Sequence, residues 1–210
     1  MNIGLSGKIA AGKTTLAKAI SAKYGHSIVS IASSIRKIAE TIAVQDMEKL
    51  QELAQEYGLG TDLVSTYIGM MQDDKYKPIV FDEDGTIVKN TAFRSLLQDV
   101  GAAGRESSGD EMFWVKRAVH AAGNRLVVCD DVRLPAEKEC FEKLGYAVVR
   151  LEIDRDVQIN RVRALYGENF DLSKLDHHTE TALDGMHFDH VLKPAPIEEW
   201  LQYIDKLMNA

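Results

Sequence analysis

The chain of 210 residues has little cysteine, no long apolar run and no excess of positive charge. Cys129 stands in an apolar run and Cys140 in a helical pattern, and neither has a metal-ligand spacing. A disulfide framework and a cysteine-ligated zinc site are thereby excluded, and two buried thiols are expected. No stretch approaches the roughly 18 apolar residues that span a bilayer. The opening MNIGLSGKIAAGKTT turns glycine-rich almost at once. No membrane partner is expected, and a reducing, cytoplasmic setting is. The formal charge of −7 lacks the basic footprint of a duplex-binding protein, so no duplex nucleic acid is expected as partner. Repeats and low-complexity segments are absent. With 45% hydrophobic and 27% charged residues, disordered, collagenous and coiled-coil classes drop out, leaving one globular domain with an insertion.

What is present alternates between short apolar runs and helical spacing. Ile3 to Ser6 reads as a strand, followed by a glycine-rich loop and a helix carrying Leu16, Ala17 and Ile20. Ser27 to Ile31 is a second run, and Ile35, Ile38, Ala39 and Ile42 line the helix after it. Met47 to Tyr57 continues helically until Gly58 and Gly60, after which a less periodic stretch leads to Pro78. Pro78 to Lys89 reads as a hairpin around Asp82–Gly85, and residues 59–90 as an insertion. Helical stripes follow at Phe93–Val100 and Met112–Ala122. Leu126 to Cys129 reads as a buried parallel strand ending in Asp130 and Asp131. A helix over 135–144, a strand over 146–153, a helix over 157–165, a polar stretch over 166–178, a strand over 188–192 and a closing helix over 197–208 complete the pattern. The alternation predicts an α/β fold, a mainly parallel sheet with helices on both faces.

Gly7-Lys8-Ile9-Ala10-Ala11-Gly12-Lys13-Thr14 fits G-x-x-x-x-G-K-[ST] and lies between the first strand and the first helix, where that pattern must lie. Its glycines let backbone N–H groups converge on phosphate oxygens. The helix N-terminus adds positive potential, Lys13 neutralises β/γ oxygens, and the Thr14 hydroxyl is placed for Mg²⁺. Gly7, Ala10, Ala11, Gly12, Lys13, Thr14 and Thr15 are therefore the expected ATP-binding residues, with ATP and Mg²⁺ as substrate and cofactor.

A kinase also needs a second anionic substrate held beside the γ-phosphate. Arg36 opens the helix after the second strand, Arg94 and Gln98 are four apart on one helical face, and Arg105 follows. Guanidinium groups suit bidentate phosphate binding, which makes these residues the expected acceptor site. Of Asp130 and Asp131, one is expected to hold Mg²⁺ through water and the other to orient the acceptor or an arginine such as Arg133; helix capping ahead of Pro135 is the plain alternative. Arg155, Arg161 and Arg163 flank the polar stretch and are candidates to stabilise the transferring phosphoryl group. Arg161 and Arg163, two apart, cannot both face a site from one regular helix.

Four blocks together resemble the bacteriophage deoxynucleoside monophosphate kinases of the P-loop nucleoside monophosphate kinase group. They are GLSGKIAAGKTT at the start, RSLLQDVGAAGR at 94–105, DDVRLPAEKE at 130–139 and HHTETALDGMHFDHVLKP at 177–194. The resemblance implies a three-layer α/β/α P-loop domain over 1–210. Its core would be 1–31, 125–154 and 187–210, with an acceptor-binding helical segment over 32–124 and a flap over about 155–178. It implies transfer of the ATP γ-phosphate to the 5′-phosphate of a deoxynucleotide, in a monomer or homodimer, with a phage origin and Arg36, Arg94, Gln98 and Arg105 on the acceptor side. Its D-V-R pattern maps to Asp131, Val132 and Arg133, and its H-x-S-E-like element to His177, Thr179 and Glu180. Taken together with the reading of the residues above, Lys13, Asp131, Arg133, Arg161 and Arg163 are the expected catalytic residues. Asp131 and Glu180 are expected on the acceptor side, and Thr14 and Asp130 are expected to serve the metal, although the resemblance itself leaves Asp130 as an added acid.

Three other readings stay open. Animal phosphomevalonate kinases look similar in the D-x-R and T-E-x-x-L-D regions, so another acceptor is one, with a hydroxymethylated base in DNA a further variant. Ile79 to Thr86, IVFDEDGT, also fits the opening of haloacid-dehalogenase-type phosphatases, although no room remains before Asp130 for several βα units. A nucleotide switch without acceptor is the third, opposed by the arginines beyond the phosphate loop.

Overall fold

The computed structural model describes residues 1–88 and 90–209; the end of the expected hairpin, Lys89, lies outside the described residues. Contacts gather the chain into two compact units, residues 1–29 together with 124 onward, and Ser30–Gly123. Elements are numbered in chain order.

The first unit is built on five strands. The three central ones, Ile3–Gly7, Val127–Val132 and Ala147–Leu151, are largely buried and read as near-continuous apolar runs, whereas the two edge strands are partly exposed. The five are β1 (Ile3–Gly7), β2 (Ser27–Val29), β3 (Val127–Val132), β4 (Ala147–Leu151) and β5 (His190–Leu192). All pair in parallel, in the order β2-β3-β1-β4-β5. Between and after them lie α1 (Lys13–Tyr24), α7 (Pro135–Lys143), α8 (Arg155–Tyr166), the short α9 (His178–Thr181) and α10 (Ile197–Met208). Strand alternation sends Ile3 and Leu5 to one face, where they meet Leu16, Ala17 and Ile20 of α1 and Trp200 and Ile204 of α10. Gly4 points to the other face, where a Cβ would lie 3.3–3.9 Å from Val132, Val148 and Phe141 of α7. The unit is thus an α/β assembly with an all-parallel five-stranded sheet flanked by helices, compatible with a P-loop-like three-layer fold. Because β1 lies between β3 and β4, its carboxyl end is where such sheets bind ligands.

Strand bounds shift from the sequence pattern. β2 ends at Val29 and β4 covers only Ala147–Leu151. β3 does not stop at Cys129 but runs to Val132, so that Asp130 and Asp131 are strand residues facing opposite sides, Asp131 buried and Asp130 half-buried. β5 begins at His190; Phe188 ahead of it is buried, with Lys138 and Arg150 5.0 and 5.7 Å from its ring centre.

The second unit holds α2 (Ile31–Ala43), α3 (Met47–Tyr57), α4 (Thr61–Gln72), α5 (Thr91–Ser108) and α6 (Phe113–Ala122). The less periodic stretch after Gly60 is a helix. Leu63, Tyr67 and Met71 recur every four residues and are buried within the unit, and Tyr67 donates to the Val100 carbonyl at 3.2 Å. Interspersed Val64, Ile68 and Met70 mask that stripe in the sequence. Among the described residues the expected 78–89 hairpin shows one antiparallel bridge, Phe81 to Ile87. Its turn is held by the Asp82 carboxylate, which accepts from the Asp84 and Thr86 N–H groups. Among the described residues no helix is long and apolar enough to cross a membrane.

α5 and α6 close on each other through two glycines. Trp114 Nε1 donates to the Gly101 carbonyl at 2.9 Å, and a Cβ on Gly104 would sit 2.7–2.9 Å from the Trp114 and Phe113 rings. Gly104→Ala should therefore lower stability by about 1–3 kcal/mol through overpacking. Urea denaturation checks this, and an unchanged midpoint would show that the two rings can move aside freely.

Candidate active site

The loop after β1 takes its shape from residues that tolerate positive φ. Gly7 has φ +146°, and a Cβ there would lie 2.6 Å from the Leu151 carbonyl oxygen, so only glycine fits where the loop leaves the sheet. Gly12 has φ +102° and forms the N-cap of α1 without a side-chain oxygen to occupy the first-turn N–H groups. That N-cap gives those donors no side-chain partner, and with the helix dipole they make this end of α1 attractive to an anion. Ala10, a non-glycine residue, sits at φ +62°.

Lys13 folds back under the loop, its Nζ donating to the carbonyls of Gly7 (2.6 Å) and Lys8 (2.9 Å). Burial, with Arg133 nearby, lowers its pKa from 10.5 to about 8, against the opposing pull of Glu180 and Asp130. Thr14 Oγ1 donates to Asp130 Oδ2 at 2.8 Å, joining the first turn of α1 to β3. Burial raises the Asp130 carboxyl above its ordinary value, and the Thr14 bond works against that. A hydroxyl and a carboxylate at this separation suit Mg²⁺, which takes few protein ligands and fills its shell with water and phosphate oxygens. Among the described residues there is no cluster of three His, Cys, Asp or Glu side chains that would hold a metal unaided.

Asp131 faces away from that pair. It is buried and accepts from the Cys129 thiol at 3.2 Å, while burial pushes that thiol well above its ordinary value. Neither aspartate caps α7. Glu137 does so, accepting from the Arg133 and Leu134 N–H groups. Arg133 Nη1 donates to Glu180 Oε1 at 2.6 Å, and the other oxygen of Glu180 accepts from the Ile9 N–H of the phosphate loop. The structure therefore places Glu180 and Arg133 together against the loop.

α8 is bound to the same loop. Arg161 Nη1 donates to the Ala10 carbonyl at 3.1 Å, and Gln158 Nε2 to the Ile9 carbonyl at 3.1 Å. Arg163, two residues on, turns elsewhere and has Glu168 at 3.7 Å; Arg155 pairs with Asp176 at 2.8 Å. Of the candidate arginines on this helix, Arg161 alone reaches the loop backbone. The segment expected as a flap is thus tied down at its beginning, and Leu175 in a 3₁₀ turn over Leu172–Asp176 is buried.

Sequence reasoning did not single out Lys8, Arg150, Gln158 or Asp184. Asp184 pairs with Lys8 and with Arg150, both at 2.8 Å, and Arg150 also donates to Ser6 Oγ at 3.3 Å. These groups border an open cleft of about 420 Å³ beside the loop, lined also by Asp154, Phe188 and Pro194. A lone arginine inside the apolar run of β4 was the available signal for Arg150. Gln158 had none, since one glutamine on a polar helix is ordinary.

In the second unit, Arg94, Gln98, Gly101 and Arg105 lie at successive turns along one stripe of α5, with Arg94 and Gln98 exposed. Ile35 of α2 and the Arg105 guanidinium both come within 4 Å of the Cβ position of Gly101. Arg36, next to Ile35, forms a surface pair with Glu40 at 3.3 Å, and Arg105 has Glu111 at 3.8 Å. Such exposed pairs are weak and leave both guanidinium groups able to exchange partners. Asp82, the alternative phosphatase nucleophile, has its carboxylate taken up by its own turn.

Because the folded chain holds fewer protons on Lys13 than the unfolded chain between pH 8 and 10.5, this group makes stability rise with pH across that window. Relative to Lys13→Met, the wild-type chain should gain about 2 kcal/mol between pH 8 and 10 in urea denaturation. An equal pH dependence in both proteins would show that Lys13 is not desolvated. Compared with known proteins, the chain matches no protein-family model and no curated protein.

Proposed function

We propose that the protein is a P-loop kinase of the nucleoside monophosphate kinase type. It would transfer the γ-phosphate of ATP to the 5′-phosphate of a deoxynucleoside monophosphate, giving ADP and a deoxynucleoside diphosphate. The observation that carries this reading is the Gly7–Thr14 loop at the carboxyl end of a central parallel strand, with buried Lys13 beneath it and Thr14 bonded to Asp130 of the neighbouring strand. That constellation supplies each element phosphoryl transfer from a nucleoside triphosphate requires: backbone donors, a lysine, and a hydroxyl–carboxylate pair. The arginine stripe on α5 is read as the place for a second phosphate, and the resemblance to the phage deoxynucleotide kinases is what favours a deoxynucleotide as its bearer.

Catalysis in this reading is positioning and charge neutralisation. Thr14 and Asp130 would hold Mg²⁺, which when bound offsets charge on the β and γ oxygens. Lys13 leaves its loop carbonyls for the phosphate, and the incoming anion favours its protonated form. Arg161 and Arg133 lie against the loop and face the charge that develops on the transferring group. The acceptor phosphate is already anionic, so its oxygen attacks phosphorus in line without a strong general base. Arg94, Gln98 and Arg105 orient that phosphate through guanidinium and amide donors.

The test is Mg-ATP consumption against deoxynucleotide and ribonucleotide monophosphates and phosphomevalonate, with products identified by mass. Conversion of one or a few deoxynucleotides to diphosphates is expected. Phosphorylation of phosphomevalonate alone would move the acceptor, and phosphorylation of none would overturn the kinase reading. Lys13→Ala should lower kcat by on the order of 10² or more with the fold intact. Arg94→Ala and Arg105→Ala should instead raise the acceptor KM by roughly 10-fold or more while Mg-ATP affinity is kept, since each removes a charge-assisted bond to one substrate only. Equal loss of affinity for both substrates would remove the stripe from the acceptor site.

A further inference from the structure

We infer that Gln158 is a positioning residue that fixes the phosphate loop in its anion-binding form, an inference that rests on reading that loop as the nucleotide site. Ala10 has a φ of +62°, in the left-handed region that side-chain-bearing residues adopt rarely, and such a conformation persists only where the surroundings over-determine it. Here they do. The two peptide groups that flank Ala10 are each gripped at the carbonyl by a side chain of α8, Ile9 by Gln158 and Ala10 by Arg161, both at 3.1 Å.

Gln158 makes the more constrained of these two contacts. It is 1% exposed, and its own carbonyl oxygen accepts from Arg155 Nη1 at 3.3 Å, which determines which end of the carboxamide meets the loop. A trans peptide points its C=O and N–H in opposite directions. With the Ile9 carbonyl turned toward α8, the Ala10 N–H is directed to the opposite side of the loop, and the bond from Gln158 opposes a flip of that peptide. The Ile9 N–H is separately held by Glu180, so Ile9 is fixed from two elements distant in sequence. A glutamate in place of Gln158 would set a carboxylate oxygen against a carbonyl oxygen. The position therefore calls for a neutral donor, which a surface-facing glutamine on a helix would not.

The test uses the full chain and three proteins: wild type, Gln158→Met, which keeps the volume and lacks the donor, and Gln158→Glu, which keeps the acceptor for Arg155 and lacks the donor. Mg-ATP dissociation constants are measured at 20 °C by calorimetry, and thermal unfolding is followed without nucleotide. Gln158→Met should weaken Mg-ATP about 10-fold, the equivalent of one lost hydrogen bond, and Gln158→Glu at least as much. Gln158→Met should not lower Tm by more than about 5 °C. Gln158→Glu, which buries a carboxylate beside a carbonyl, should lower Tm further and is judged by its dissociation constant at 20 °C. A purely structural role predicts the reverse, a lower Tm with an unchanged dissociation constant, because a chain still folded at 20 °C keeps its site. That result would overturn the inference. In the wild-type chain, independent of any variant, the Gln158 side-chain amide protons should exchange with solvent more slowly once Mg-ADP is bound. Faster exchange would mean that the contact breaks on binding and would overturn the inference as well. Wild-type protein that binds no Mg-ATP would instead overturn the nucleotide reading itself.

Discussion

Gly7 leaves β1 with its α-carbon pressed against the Leu151 carbonyl of β4, where a side chain would lie 2.6 Å from that oxygen. The rest of the site depends on this close approach. β1 is central in its sheet, paired on both edges, so the loop after it cannot drift sideways without breaking a ladder. Gly7 and Gly12, both at positive φ, turn the chain from that strand into α1 with the first-turn N–H groups uncapped. The uncapped donors are a consequence of backbone geometry first and of side chains second.

Side chains then settle the electrostatics. Lys13, Arg133, Arg150 and Lys8 gather around one loop, and repulsion among buried cations is costly unless carboxylates intervene. Glu180 answers Arg133, Asp184 answers Lys8 and Arg150, and Asp130 lies within electrostatic reach of Lys13. Burial lowers the Lys13 pKa, and the carboxylates of Glu180 and Asp130 oppose that shift only in part.

The G-x-x-x-x-G-K-T pattern and the parallel strands follow from local spacing and from burial patterns that a single sequence displays openly. The helix at Thr61–Gln72 did not, because Val64, Ile68 and Met70 blur a four-residue repeat that only burial of Leu63, Tyr67 and Met71 makes plain. The extension of β3 through Asp130 and Asp131 was hidden for a related reason. Charged residues normally end a buried strand, and here Asp131 stays buried within it, accepting from the Cys129 thiol among its contacts. Glu180 was legible as part of a resembling block, but its contact with Ile9 bridges 171 positions of sequence and has no local trace.

The sequence by itself determined that strand, phosphate loop and helix follow one another at the start of the chain, since that unit is specified by glycine placement and apolar period alone. Tertiary structure decided which distant side chains complete the loop: Asp130 at Thr14, Glu180 and Gln158 at Ile9, Arg161 at Ala10. It also decided between Arg161 and Arg163, which composition cannot rank. The physical reason is the range of the forces involved. Turn chemistry and periodicity act over a few residues, whereas a hydrogen bond to a loop carbonyl depends on how sheet order and helix packing fold the chain back on itself.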